Sequence, residues 1–499
     1  PGAEDSGFVF FGSGTIDWFE KNKRDVANIA QFGAVGDDDG TGTTGADDHA
    51  AIQAAVDSGA KYIRSHWGGK RYRISDSIKI WSVHNGITLD FGNDWLDVSE
   101  GVWTSNAAVQ VINGEDSAGS PVDFAKTEVN IVRLNIDGHW DYAGYAAEVN
   151  GVYNTASSND TVQVAESVQT NAIANALANP AYGASSINAI EYVVRAAGTG
   201  SAADGFFRDC KIGTLRLCNF RKAGIAITNP ERCVIDTVFG CGCAGHNVVT
   251  AWDADATDVT PGQGSLIIQS LIVEGGGTIF DFASNVADHT TMYPLDKTAT
   301  IHVGTIVARK IMERTKIWGP WDVVIDSISV RDREPGNKNS AIDVPGTSMN
   351  SITIGTLNTN GYGKSYTAPP TPPDVTARTW ERKIVTTIGT LVHKNQDTNP
   401  PIGGVFRVLQ GSQTNPTYVK SLELENVVVV ASGVCCIDRV EWRNHLNQPA
   451  WWSSDALEYP FSFLEGSYIN GGRIHNVGFG AAVPAYLFFV SDPSCHISN

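Results

Sequence analysis

No run of apolar residues in this chain approaches the roughly 20 needed to cross a bilayer. The first residues show neither the basic start nor the apolar stretch of a signal peptide, and membrane insertion is not expected. Charge is sparse, at 18% of residues, and short of cations: 36 Lys and Arg stand against 54 Asp and Glu, for a formal net charge of −18. A surface of that sign repels a phosphate backbone, so nucleic acid is not an expected partner. Cysteine is scarce too. Eight in 499 residues are too few for a disulfide scaffold. Cys241 and Cys243, and the adjacent Cys435 and Cys436, lack His or Cys partners at zinc spacing. Free buried thiols are expected, with no metal and no cofactor.

Glycine, in contrast, is plentiful at 51 residues, and 42% of the chain is hydrophobic. That is the composition of a turn-rich all-β protein with ample core. The length exceeds one compact core, which leaves several domains or one elongated repetitive domain. A recurring pattern decides between them: an aliphatic, any residue, Ser or Thr, then an aliphatic. It occurs at 212–215, 235–238, 268–271, 303–306, 325–328, 354–357, 388–391 and 419–422, with successive last members 22 to 35 residues apart. Such periods belong to solenoids. Ile131 to Leu134 is a looser first copy, with Arg133 in place of the hydroxyl residue.

The flanks of each copy are apolar and β-branched, as in 265–273 and 321–330, which favours strands over helices. Two inward aliphatics at an odd separation require a corner between them, because side chains alternate along an unbroken strand. Cys210 and Cys233 each fall five residues before their anchors, Leu215 and Val238, while Cys218 and Cys241 fall three after. Equivalent positions on neighbouring coils stack, so two cysteine ladders are expected. The predicted fold is an all-β right-handed parallel β-helix with an N-terminal capping helix.

Four regions follow from the spacing: residues 1–30 as a linker, 31–100 as a capping segment with the first coils, 101–474 as the β-helix, and 475–499 as a C-terminal segment. An insertion at 139–208 interrupts the coils; within it Glu166 to Ala178 suits a short amphipathic helix, and Ile187 to Ala197 a strand or helix. The proline-rich 368–373 reads as an exposed loop.

Residues 26–57 carry Phe32-Gly33-Ala34, Gly36-Asp37, Asp47-Asp48 and Ala51-Ile52-Gln53-Ala54-Ala55. This resembles the opening of the pectate-lyase-like β-helix superfamily, in which a short strand and an Asp-rich turn precede a helix. Asp47 or Asp48 can cap that helix, and Ile52, Ala55 and Val56 form its apolar face. Asp37, Asp38 and Asp39 suit turn and capping roles better than calcium, since no Glu stands at EF-hand spacing. Upstream, residues 7–15 and the stretch to Val26 resemble the neck of bacteriophage tailspikes. That resemblance implies a homotrimer on a phage tail, joined to it through a head-binding domain missing from this sequence, and cleavage of O-antigen or capsule at the bacterial surface. It fixes neither substrate nor mechanism.

Hydrolysis needs two carboxylates, about 5 Å apart for retention or about 6.5–9.5 Å for inversion. A lyase acting on uronates needs a base and a cation that neutralises the carboxylate. The coils starting at Val238, Leu271 and Ile306 are richest in candidates. Asp253, Asp255, Glu274 and Asp281 are the candidate catalytic acids; Asp258, Asp288, His289 and Glu313 lie nearby. Arg309, Arg314, Lys316, Trp252 and Trp318 are the candidate substrate binders, and His302 is the alternative lyase base. Glu274 and Arg309 share an offset of three from their anchors, and Asp281 and Lys316 an offset of ten, so each pair is expected on neighbouring rungs. Charge pairs of this kind also occur as plain surface bridges. Arg314-Thr315-Lys316 and Gly245-His246-Asn247 loosely resemble two polygalacturonase motifs. Trp321, Trp380, Trp451 and Trp452 suit sugar stacking or packing between subunits.

The expected function is an endo-acting tailspike depolymerase, a hydrolase ahead of a lyase. The alternatives are a receptor-binding tail protein that does not cut, and a uronate lyase or epimerase.

Overall fold

The recurring motifs stack. Ile212, Ile235, Ile268, Val303, Ile325, Ile354, Ile388 and Val419 pair in register on successive parallel strands. So do Leu215, Val238, Leu271, Ile306, Ile328, Leu357, Leu391 and Leu422. None of these side chains is more than 1% exposed, and burying each contributes about 1.5–3 kcal/mol.

The computed structural model describes residues 25–66, 68–99, 103, 105–120, 122, 128–156, 166–183, 186–194, 206–252, 264–284, 299–312, 315–317, 321–332, 341–343, 351–360, 366–367, 386–394, 407–410, 416–425, 429–443, 461–463, 467–475, 488–490 and 496–497. The neck residues 7–15 and the proline-rich 368–373 lie outside them. Strand pairing among the described residues is parallel, and the main sheet of 29 strands winds into a right-handed β-helix.

Each coil has three faces. The first runs into the motif, the second leaves from its last aliphatic, and the third follows a further turn; the strand Cys233–Trp252 crosses all three. At the first corner the chain passes close to the rung beside it. A Cβ on Gly213 would meet the Val132 carbonyl oxygen at 2.3 Å, and one on Gly304 the Gln269 carbonyl at 2.6 Å. That proximity favours glycine in the motif. At the second corner Asn219, Gly242, Gly275, Lys310 and Asp332 take positive φ of 59°, 67°, 73°, 53° and 45° on successive rungs. A left-handed residue at the same place on each coil turns the chain the same way every time.

The predicted cap is present as a helix at His49–Asp57, which buries Ile52, Ala55 and Val56. At its start Asp47, one of the two expected caps, accepts the His49 amide at 3.1 Å. Asp48 makes no side-chain cap; its carboxylate accepts the Val35 and Gly36 amides at 2.6 and 3.0 Å. The preceding loop folds back over the helix start and offers those amides instead. Asp37 accepts from Ala46, Asp38 from Gly40 and Gly42, and Asp39 from Thr41, which are turn roles.

Within the insertion, Glu166–Ala178 is helical as expected and is partnered by a second helix, Tyr142–Ala156. Trp140, Tyr145, Val149, Ile173 and Ala176 form a small core with Ala244 and Met312 of the coil. Residues 188–194 form a strand that extends the third face, paired with Ala107–Asn113 and Ile225–Thr228.

The cysteine ladder holds in register at Cys218 and Cys241, but the expectation of burial fails there. Cys241 is exposed and Cys218 half-buried, because they share an outward ladder with Asp137 and Glu274. Cys210, Cys233, Cys243, Cys435 and Cys436 are buried free thiols.

Candidate functional site

Both offset pairs occur. Glu274 is in register with Arg309, and Asp281 with Lys316. They lie on different faces, separated by the corner at Gly275 and Gly276, whose φ values are 73° and 153°. The two predicted acids are therefore not brought together as a catalytic pair.

Glu274 belongs to a surface network on the second face. Its carboxylate lies 3.4 Å from Lys310 Nζ and 3.9 Å from Arg309, which also binds Asp332 at 2.8 Å. All four side chains are about half exposed, and pairs of that kind contribute about 0–1 kcal/mol. His302 lies on the first face, where Nε2 meets Asp326 Oδ1 at 3.0 Å. It shares no face with Lys316.

Asp281 has a different setting. It sits on the third face and is 6% exposed. His246, from the preceding rung, faces it with Nε2 3.6 Å from Asp281 Oδ2. The other ring nitrogen, Nδ1, is 2.7 Å from Thr278 Oγ1, which fixes the orientation of the imidazole. Lys316 follows on the next rung beside Asp281. Burial lowers the His246 pKa from its ordinary value; the Asp281 charge opposes that shift and Lys316 adds to it. Next to His246, Asn247 is buried and donates to the Thr278 carbonyl at 2.7 Å. The insertion docks by this corner, with the Tyr142 hydroxyl donating to the Lys310 carbonyl at 3.1 Å.

A buried carboxylate, a fixed imidazole and an ammonium thus meet on three consecutive rungs. They provide an acid or base, a second titratable group and a cation within reach of one ligand. Asp343 takes the register position after Lys316 on the same ladder. Trp252 ends its strand in register with Ser284. Asp253, Asp255, Arg314 and Trp318 lie outside the described residues, as do Asp258, Asp288, His289, Glu313, Trp380, Trp451 and Trp452.

The spacing argument passed over His246 for a physical reason. Asp281 and Lys316 both stand ten residues after their anchors, but the register shifts between Cys243 and His246. His246 therefore pairs with Thr278, although the two differ by one residue in offset. The Gly245-His246-Asn247 motif was the available signal.

A second acid cluster lies at the capped end. Asp97, Asp137 and His139 present atoms within 4.8 Å of one another, which is compatible with a metal. Arg71 occupies that space instead, 2.5 Å from Asp97 and 3.6 Å from Asp137. His139 Nε2 adds a contact to Asp97 at 3.0 Å, so a guanidinium and an imidazole already serve these carboxylates.

No family model and no curated protein matches the chain. Solved structures do. The chain is similar to a family 28 exopolygalacturonase of Yersinia enterocolitica, with a TM-score of 0.46 and 11% identity over 92% of this chain and 79% of that one. It is similar to tailspike protein 3 of bacteriophage CBA120, with a TM-score of 0.42 and 11% identity, covering 98% of this chain but 64% of the tailspike. A third likeness is to the A-module of the Azotobacter vinelandii mannuronan C-5 epimerase AlgE6, with a TM-score of 0.35 and 12% identity over 94% and 97% of the two chains.

Proposed function

We propose that the chain is the β-helix of a phage tailspike depolymerase that hydrolyses glycosidic bonds inside a bacterial surface polysaccharide, O-antigen or capsule. The observation that carries the reading is the third-face cluster, where Asp281 lies beside His246 and Lys316. In this reading Asp281 is one of the two working carboxylates. The second is one of the other acids expected from the sequence, Asp253 or Asp255. One carboxyl group then protonates the leaving oxygen while the other takes a proton from the attacking water. Lys316 holds a polar or acidic group of the sugar. Assembly as a homotrimer, attachment to a phage tail and action at the bacterial surface belong to the same proposal.

A lyase is the second reading, favoured by one observation. The lowered pKa of His246 keeps its imidazole neutral at pH 7 and able to take a proton, with Lys316 positioned to neutralise a uronate carboxylate. In that case His246 replaces His302 as the base.

Incubation with polysaccharides of candidate hosts separates these readings. Shortening with new reducing ends and no ultraviolet absorbance from an unsaturated sugar is the expected result. Shortening with that absorbance turns the assignment to the lyase. Binding without shortening leaves a receptor-binding protein and overturns the enzyme.

A further inference from the structure

On the second face, near the capped end, one outward ladder reads Arg71, Trp95, Asn135, Arg216 and Phe239 on consecutive rungs. The Arg216 guanidinium lies 5.9 Å from the Trp95 ring centre and 5.7 Å from that of Phe239. Arg71 covers the other side of Trp95 at 5.1 Å. Both rings are half exposed, and Arg216 is exposed.

The charges on this shelf are unequal in one respect. Arg71 is bound by Asp97 and Asp137. Among the described residues Arg216 has no carboxylate partner, and neither does Arg133, which is in register with Thr214 on the rung before and whose guanidinium binds the Asn93 amide oxygen at 2.7 Å. Asn93 reaches that position because the strand bulges between Asp90 and Trp95. The nearby acids are already taken: Asp97 and Asp137 by Arg71, and Glu274 by Lys310. A guanidinium without a carboxylate partner stands out on a protein of net charge −18, and it attracts an anion.

We infer that this shelf is a second saccharide site, separate from the third-face cluster, and that it takes carboxylate-bearing sugars. A guanidinium presents a planar fork that matches a carboxylate in two parallel hydrogen bonds. The ring edges of Trp95 and Phe239 offer stiff apolar area to the sugar body on either side. The chain axis of the ligand then runs along the coil, across successive rungs, and holds a polymer on the protein while the third face acts. The choice of a saccharide over another carboxylate rests on the proposed function; the anion preference rests on Arg216 alone.

The test uses fragments of polygalacturonate and of polymannuronate, each beside its carboxyl-reduced counterpart, titrated by calorimetry. Binding is measured in the D281N background, so that chain cutting does not intervene. At least one acidic fragment is expected to bind more tightly than its reduced form. R216A is expected to weaken that binding about tenfold, the loss of one charge-assisted contact, and R216K to restore part of it, with melting temperatures unchanged. Equal binding by R216A, equal binding of the reduced fragments, or no binding of either acid overturns the site. Cutting of host polysaccharide by D281N is measured separately. Its loss, together with equal binding by R216A, removes this site and leaves the third-face reading standing; the opposite pattern does the reverse.

Discussion

Two places in the molecule put a histidine and an aspartate beside a cation, and they serve opposite ends. At the capped end Asp97 is fully buried, and its oxygens meet Arg71 and His139 at hydrogen-bond distance. On the third face His246 stops 3.6 Å short of Asp281, too far for a hydrogen bond, and remains partly open to solvent. The first arrangement is saturated and sealed, so its electrostatic energy goes into stability. The second is open to solvent at His246. Residue type does not separate structural clusters from reactive ones; access does.

The largest effect expected from breaking this contrast is on rate. Asp281→Asn is expected to lower polysaccharide cleavage by about 10²–10⁴-fold, the range for losing a positioned acid or base, with little change in melting temperature. Loss of folding without a specific loss of rate, measured by calorimetry beside the assay, would place Asp281 with the structural acids. Asp97→Asn is expected to do the converse. Breaking a buried ion pair costs about 3–5 kcal/mol, seen as a lower urea midpoint, while cleavage per folded molecule is retained.

Acidity sharpens the comparison further. Burial alone would raise the Asp97 pKa, but hydrogen bonds from His139 and Arg71 overcome it and hold the carboxyl below its usual value. That contribution is present above the unfolded pKa near 3.9 and is lost as pH falls through the folded one. For His139 burial works downward, yet Asp97 and Asp137 raise its pKa above the ordinary value. Its contribution is complete below about pH 6.5 and is lost as pH rises through the folded value. The gap in melting temperature between the wild type and His139→Gln should therefore be widest at about pH 4–6.5 and narrow above it. A gap that does not vary with pH contradicts the lock. The smallest effect is expected at Glu274→Gln, about 0–1 kcal/mol on stability and no loss of cleavage; a loss of rate there would return the second face to the chemistry.

Much of the coil was legible because its constraint is local and repeated. Each inward Ile-x-Thr-Leu step must bury two aliphatics around a corner, so the motif marks every rung, and equal offsets correctly predicted Glu274 with Arg309 and Asp281 with Lys316. The same arithmetic had no means of assigning faces. Glu274 and Asp281 are seven apart in sequence, and only the left-handed Gly275 corner reveals that they point to different sides. His246 was named in the Gly245-His246-Asn247 motif, but the register shift at Cys243 hid its place beside Asp281, and Cys241 was misjudged because ladder membership does not say whether a ladder faces in or out. The Arg71–Asp97–His139 lock joins three separate segments through side chains alone, which no local pattern encodes.

The central claim is that the third face cuts a polysaccharide through Asp281. Its most direct test is size-exclusion chromatography of a host polysaccharide bound by the protein, after incubation with the wild type and with D281N. The account predicts a shift to short fragments with the wild type and an intact polymer with D281N, bound with unchanged affinity. Shortening by D281N at the wild-type rate would contradict it.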